Sequence, residues 1–266
     1  MILYNQIFDV AMHAAKSSAQ IILKALSKPK DIKYKGKYDL VTKTDHESEL
    51  NIKSIIYKNF PDHKILSEET GRSESDSPYL WVVDPLDGTT NFVHNYPSFA
   101  VSIGVFYEFK PIVGVVVELP ENNLYYAILN EGAFCNDIAI KVSKTFLLSS
   151  SLMVTGFGYN HGDLWKTNMH LFKHFTDITQ GVRRLGAASV DLCHTACGKV
   201  DGFWEFDLQP WDTAAGLLIV TEAGGEISKI DGKPFSIFNN QILASNSNLH
   251  SKIVNEIERS TLEFNS

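Results

Sequence analysis

The chain has 266 residues, 44% of them hydrophobic and 21% charged, with a formal charge of −7. These are globular proportions that exclude a disordered chain, and the acidic balance offers no basic field to attract nucleic acid directly. The length allows one large domain or two smaller ones, each with a real core.

Ile2, Ile7, Phe8, Ala11, Ala14, Ala15, Ile22 and Leu26 recur at spacings of three and four, which predicts an amphipathic first helix. Asp9, His13, Lys16 and Lys24 interrupt it, so it lacks the continuous apolar core of a signal peptide. No segment reaches the roughly 18 unbroken apolar residues of a membrane span. Cys135, Cys193 and Cys197 are too few, and odd in number, for a disulfide framework. A soluble cytoplasmic protein without a membrane partner is expected.

Lys28 to Asp39 reads as a polar loop. A second helix is expected from about Thr44 to Phe60, with Thr44 and Glu47 at capping-box spacing, Leu50, Ile52, Ile55 and Ile56 as apolar positions, and Pro61 ending it. Tyr79 to Val83 reads as a strand entering the core, broken by Pro85 and Gly88. Phe99 to Tyr107, Ile112 to Leu119 and Leu124 to Leu129 are short β-branched or aromatic runs with turn residues between them, an antiparallel meander. Beyond about residue 145 the elements alternate. Strands are expected near Leu152 to Thr155, Gly202 to Phe206 and Ile242 to Ala244; helices at about Leu164 to Phe175, Ala187 to Cys197, Trp211 to Ala223 and from Leu249 on. The N-terminal half is thus α+β and the C-terminal half α/β. With no linker or repeat between them, residues 1–145 and 146–266 are expected to be packed lobes sharing one cleft.

The most informative stretch is Trp81 to His94, which places Asp84 and Asp87 in a turn with no Lys or Arg in the run. At about 4 Å apart in a partly shielded site, two carboxylates repel by about 4 kcal/mol, so they call for a cation. Thr89, Thr90 or Asn91 then caps a short helix whose first N–H groups suit an anion. Other acids stand in apolar or turn sequence: Asp45, Glu68 and Glu69, Glu205 between Trp204 and Phe206, and Asp212 after Trp211. Each has a structural explanation when taken singly. Asp45 suits a first helical turn and Asp212 an N-cap. Together with Asp84 and Asp87 they converge on a metal site. Of Glu68 and Glu69, neighbours on an extended segment, only one is expected to face the metal.

Asp84-Pro85-Leu86-Asp87-Gly88-Thr89-Thr90-Asn91-Phe92 and Trp211-Asp212-Thr213-Ala214-Ala215-Gly216, continued by Glu222-Ala223-Gly224-Gly225, strongly resemble the two signature motifs of the inositol monophosphatase family. Ser67-Glu68-Glu69 and Thr44-Asp45 match its other acidic elements in order, so the resemblance runs from Asp39 to about Asn246. Arg183-Arg184-Leu185-Gly186 and Gly202-Phe203-Trp204-Glu205 look most like the bacterial branch that includes the extragenic-suppressor proteins.

The resemblance implies a layered αβαβα sugar-phosphatase fold, a Mg²⁺-dependent and Li⁺-sensitive phosphomonoesterase, and a homodimer. It implies that Glu68, Asp84 and the carbonyl of Leu86 hold a first Mg²⁺, that Asp84, Asp87 and Asp212 hold a second, and that a third, weaker ion sits near Glu68. Asp45 and Thr89 would orient the attacking water, with Glu68 beside them at the catalytic metal. The amides of Gly88 and Thr89 would take the phosphate. Gly186, Ala188 and Glu205 would line the alcohol side, with Asp87 contacting its hydroxyls.

The chemistry asks for such a set. Enzymes accelerate phosphate-monoester hydrolysis by up to ~10²¹-fold, of which a general base supplies only about 10²–10⁴-fold. Paired Mg²⁺ ions supply the nucleophile, neutralise the phosphoryl oxygens and stabilise the leaving alkoxide. Oxygen ligands suit Mg²⁺, and His94, just past the signature run, reads as structural.

The expected substrate is inositol monophosphate or a similar small polyol or sugar phosphate. Sibling activities within the same fold are fructose-1,6-bisphosphatase, nucleotide 3′(2′),5′-bisphosphate phosphatase and NADP(H) phosphatase. A reading of a different class comes from the extragenic-suppressor relatives: a partner protein in transcription and ribosomal-RNA biogenesis, contacting RNA polymerase or an antitermination complex. Weaker signals have plainer readings. Cys193 and Cys197 suit buried helical positions, Gly156-Phe157-Gly158 a mobile loop at the cleft edge, and Arg183-Arg184 a phosphate, an acidic partner or a dimer contact.

Overall fold

The alanine and isoleucine stripe of the first segment forms α1 (Ile2–Leu26) in a computed structural model that describes residues 2–34, 36 and 40–265. Ile7, Ala11, Ala14, Ala15, Ala19 and Ile22 are fully buried along it. α1 packs against α2 (Lys43–Asn59), where Ile52 and Ile56 are buried but Leu50 is 67% exposed. Leu50 stands about 200° around the helix from Ile52, on the outer face, so its expected share in the core is not realised.

The start of α2 also differs from expectation. The N-cap is Thr42, not Thr44, because Thr42 ends a strand and keeps the extended backbone a cap requires. Its hydroxyl accepts from Thr44 N at 3.1 Å, while Asp45, not Glu47, reaches back to Thr42 N at 2.8 Å. Phe60 closes the helix just before Pro61.

The expected Lys28–Asp39 loop contains one arm of a small hairpin, β1 (Ile32–Tyr34) paired antiparallel with β2 (Leu40–Thr42). Its residues Lys35, Lys37, Tyr38 and Asp39 lie outside the described residues. The large sheet comprises β3 (Lys64–Ser67), β4 (Gly71–Arg72), β5 (Tyr79–Asp87), β6 (Phe99–Tyr107), β7 (Lys110–Leu119), β8 (Asn123–Ile128), β9 (Gly132–Cys135) and β10 (Ile138–Ala139). Its order is β10-β9-β8-β7-β6-β5-β3-β4. From β5 to β10 every neighbour is antiparallel, so the expected meander is longer by three strands, while β3 joins β5 in parallel. The second sheet comprises β11 (Met153–Thr155), β12 (Val182–Arg183), β13 (Gly202–Phe206), β14 (Gly225–Ser228) and β15 (Gln241–Asn246), in the order β12-β11-β13-β15-β14.

The remaining helices are α3 (Thr89–Val93), α4 (Asp163–Ile178), α5 (Ala188–Ala196), α6 (Pro210–Glu222) and α7 (His250–Asn265). α1 and α2 cover the outer face of the large sheet, α5 and α6 fill the space between the sheets, and α4 and α7 cover the far face of the second sheet. This is the layered αβαβα arrangement. Cys193 is buried in the middle layer, and none of the three cysteines is in a disulfide. Among the described residues no helix is long and apolar enough to cross a membrane.

The middle layer sits directly on the sheet because glycines let it. A Cβ on Gly104 of β6 would stand 2.7 Å from the backbone carbon of Ala214, and one on Gly114 of β7 would stand 2.5 Å from Ala215 O. Both Ala214 and Ala215 belong to α6, whose first turn carries Asp212. Gly114→Ala is therefore expected to force α6 off the sheet and lower stability by about 1–3 kcal/mol, as overpacked cores do, read as the midpoint shift in urea unfolding.

Candidate active site

Asp84 and Asp87 meet on one face of β5 through a bulge. Residues three apart on a regular strand point to opposite faces. Here Asp84 pairs with Ser102 and Asp87 with Ala100, so one residue too many is accommodated on β5 between these two pairs. β5 thus runs on to Asp87 rather than breaking at Pro85. Pro85 has no N–H to lose, Leu86 N turns to Asp84 Oδ1 at 3.0 Å, and Ser48 of α2 donates to Pro85 O at 2.7 Å. The bulge brings Asp87 to the side that Asp84 already faces.

Gly88 is the N-cap of α3, with φ of +82°, in place of the expected Thr89, Thr90 or Asn91. A Cβ there would lie 2.9 Å from Ser98 O and 3.2 Å from Ala187 Cβ. Glycine therefore serves both the left-handed turn and the close approach of α5. Asn91 secures the junction, donating to Ser98 O at 2.6 Å and Leu185 O at 2.7 Å.

A cavity of about 950 Å³ opens where the C-terminal ends of β5 and β13 meet the starts of α5 and α6, and Glu68, Asp84, Leu86, Asp87, Gly88, Thr89, Gly186, Ala188, Glu205 and Asp212 all line it. His94 lies at its edge and is exposed. Asp45 does not line the cavity. It is fully buried and reaches it through Thr89, whose hydroxyl lies 2.8 Å from Asp45 Oδ1 and 3.0 Å from Leu86 O. Glu68 and Glu69 sit in a turn after β3 rather than on an extended run; Glu68 lines the cavity and Glu69 lies 3.9 Å from His46 Nδ1.

Three of the carboxylates on the wall are each held through one oxygen. Asp84 accepts from Leu86 N; Asp87 Oδ2 accepts from Ser189 N at 2.8 Å and Ser189 Oγ at 2.6 Å; Asp212 Oδ2 accepts from Gln209 N at 2.7 Å. Gln209, not Asp212, is the N-cap of α6, and Asp212 occupies the third helical position, as Asp45 does in α2. Asp87 also accepts from the Ala188 backbone N–H, while among the described residues no further hydrogen bond reaches Asp84 or Asp212.

Burial, reinforced by Glu68, Asp87 and Asp212, pushes Asp84 well above the usual carboxylate range. Asp212 is pushed up likewise, by burial and then Asp87. Burial also raises Asp87, against the pull of Ser189 and Arg184, and raises Asp45, against its bonds to Thr42 and Thr89. Glu205 is pushed up to about 8, chiefly by burial, with Arg184 opposing. Among the described residues, Arg184 is the only Lys or Arg on the cavity wall. These residues suit a hard divalent cation: the clustered carboxylates offer oxygen donors, and the crowding of acids is what a cation relieves. Among the described residues no group of three or more His, Cys, Asp or Glu side chains is gathered so as to hold a metal ion by itself. Mg²⁺ does not need one, since it keeps several waters and binds through few carboxylates plus substrate phosphate.

Sequence reasoning missed Ser189, which fixes Asp87 across 102 positions, and left open Arg184, now on the wall. A serine just inside a predicted helix start was the only local signal for the first.

Comparison with known proteins follows the same residues. The pattern describing the inositol monophosphatase family matches residues 3–262. The chain is 50% identical over 262 residues to the chloroplastic phosphatase IMPL1 of Arabidopsis thaliana, covering 96% of this chain and 71% of that one. It is 36% identical to the Nus factor SuhB of Pasteurella multocida, covering 96% of each. The solved inositol monophosphatase of Anabaena superimposes with a TM-score of 0.86 at 40% identity over 96% of both chains.

The raised acids give a signed pH dependence. Their contribution to stability is full below the ordinary carboxylate values near 4 and is lost as pH rises through the folded values, to about 8 for Glu205. In EDTA, the melting temperature is expected to fall from pH 5 to pH 8. Asp84→Asn is expected to flatten that fall, raising the pH 8 value by about 2–4 °C per 1 kcal/mol of repulsion removed, measured by circular dichroism.

Proposed function

We propose that this chain, which belongs to the inositol monophosphatase family, hydrolyses inositol monophosphate or a closely similar small polyol phosphate to the free alcohol and phosphate. It is a phosphatase of that family. The observation that carries the reading is the set Asp84, Asp87 and Asp212: each has one oxygen fixed by a backbone N–H, and all three line one cavity.

The donors support Mg²⁺, two to three ions in all. In this reading Glu68, Asp84 and Leu86 O hold the first and Asp84, Asp87 and Asp212 the second, with a weaker third near Glu68. Leu86 O keeps a lone pair for this beyond the one facing Thr89. When bound, the ions supply an acidified water and neutralise the phosphoryl oxygens. Li⁺ inhibition belongs to the same reading.

The chain's own groups do the rest. Asp45, with its basicity raised by burial, holds the Thr89 hydroxyl, and the pair orients the attacking water and passes on its proton. The N–H groups of Gly88 and Thr89, at the start of α3, receive the phosphate. Gly186 and Ala188 leave space for the alcohol, and Glu205 and Asp87 accept from its hydroxyls. We also propose a homodimer, two lobes (residues 1–145 and 146–266) sharing the cavity, and a cytoplasmic setting consistent with unpaired cysteines.

Asp84→Asn, Asp87→Asn and Asp212→Asn are each expected to lower kcat by about 10³-fold, the several kcal/mol of transition-state stabilisation that cation ligands underwrite. The assay is phosphate release from inositol 1-phosphate with Mg²⁺, with and without Li⁺, beside circular dichroism to verify the fold. Full activity in any of the three contradicts the ligand set.

A second reading is favoured by the name of the Pasteurella relative, a Nus factor. Here the chain binds RNA polymerase or an antitermination complex, with catalysis secondary. RNA polymerase subunits retained equally by wild type and Asp87→Asn support that reading, and retention by neither opposes it.

A further inference from the structure

The glycines of Gly156-Phe157-Gly158 owe their identity to two carboxylates. A Cβ on Gly156 would lie 2.1 Å from Glu205 Oε1 and 2.3 Å from Oε2, and one on Gly158 would lie 2.6 Å from both Cβ and Oδ2 of Asp207. Glu205 and Asp207 are thus packed side by side against the backbone of this segment, and both line the cavity. The Phe157 ring lies 6.2 Å from that of Trp165 and 5.9 Å from that of Phe172, both on α4, which anchors the segment.

The two acids differ in setting. Glu205 is only 8% exposed, and among the described residues no hydrogen bond or ion pair reaches its carboxylate. Asp207 is exposed and follows β13 with φ of +65°, a left-handed backbone in which Asp is tolerated and Gly unstrained. A buried acceptor without a partner is costly, so it is built for one that arrives. Arg184 shares this wall, and Asp207 sets a carboxylate against the positive charge that would otherwise welcome a second phosphate. A hydroxyl group gains from such acceptors, and a second phosphate is repelled.

We infer that Asp207 is a specificity-determining residue: with Glu205 it presents paired carboxyl oxygens to the hydroxyls of a neutral polyol, and its charge disfavours alcohols bearing a second phosphate. The inference rests on the phosphatase reading above and narrows its substrate class. Gly156 and Gly158 are the positioning residues that let both carboxylates lie against the wall.

The test compares wild type, Asp207→Gly and Asp207→Asn on inositol 1-phosphate, fructose 1,6-bisphosphate and p-nitrophenyl phosphate with Mg²⁺. For Asp207→Gly, KM for inositol 1-phosphate is expected to rise about ten- to hundredfold with kcat within about twofold, as for loss of one hydrogen bond to a charged acceptor. Kinetics on p-nitrophenyl phosphate, which has no hydroxyls, should not move, and KM for the bisphosphate should fall. Asp207→Asn should show a smaller rise for inositol 1-phosphate and the same gain for the bisphosphate. A melting temperature for Asp207→Gly at or above wild type separates this from lost folding. An unchanged KM for inositol 1-phosphate, or an equal rise for p-nitrophenyl phosphate, overturns the inference while leaving the phosphatase reading intact. A wild type that hydrolyses none of the three esters overturns both.

Discussion

Several carboxylates that repel one another are kept together, and most of the local structure around the cavity exists to hold them there. Each of Asp84, Asp87 and Asp212 gives one oxygen to a neighbouring N–H: Leu86, Ser189 and Gln209. These anchors are backbone groups, and for Leu86 and Ser189 they are buried, so Asp84 and Asp87 cannot relax apart by rotamer change without leaving a buried donor unpaired. The remaining repulsion is a standing demand for positive charge, and in our reading Mg²⁺ meets it. The same demand explains why the acids cost stability in the bare chain and promise reactivity in the loaded one.

The supports come from distant parts of the chain because the layers bring them together. The bulge in β5 is tethered by Ser48 of α2 on one side of the sheet, while Asp87 is tethered by Ser189 of α5 on the other. α6 brings Asp212 to the same cavity by lying on the backbone of β6 and β7 where Gly104 and Gly114 leave space. The wall around the leaving group is shaped similarly: Gly186 makes room for Arg184, and Gly156 and Gly158 make room for Glu205 and Asp207. Small residues thus set the positions of large charged ones.

Much of this was legible in the sequence. The amphipathic first helix, the meander and the alternating second half follow from hydrophobic period, and the acidic turn marked the carboxylates that the structure gathers on one cavity wall. The readings that split between structural and functional were not true alternatives. Asp45 and Asp212 each stand at the third helical position with one oxygen returned to the N-cap, and a carboxylate has a second oxygen to offer. What stayed hidden was geometric. Nothing local shows that β5 takes an extra residue between Asp84 and Asp87, so strand parity alone would have separated the pair. Leu50 fell on the wrong face because its neighbours Ile52 and Ile56 define the stripe more strongly than it does. Ser189 and Asp207 act through contacts with residues far along the chain or through a left-handed backbone, and neither leaves a periodic signature.

The central claim is that the carboxylate oxygens of Asp84, Asp87 and Asp212, with Glu68 and Leu86 O, form one divalent-cation site. Anomalous diffraction from crystals of the wild-type protein soaked in Mn²⁺, an ion of similar ligand preference, tests it most directly. The account predicts anomalous peaks within coordination distance of Asp84, one shared with Asp87 and Asp212 and another with Glu68 and Leu86 O. Well-ordered crystals with no peak at Asp84, or with Mn²⁺ bound only elsewhere, would contradict it.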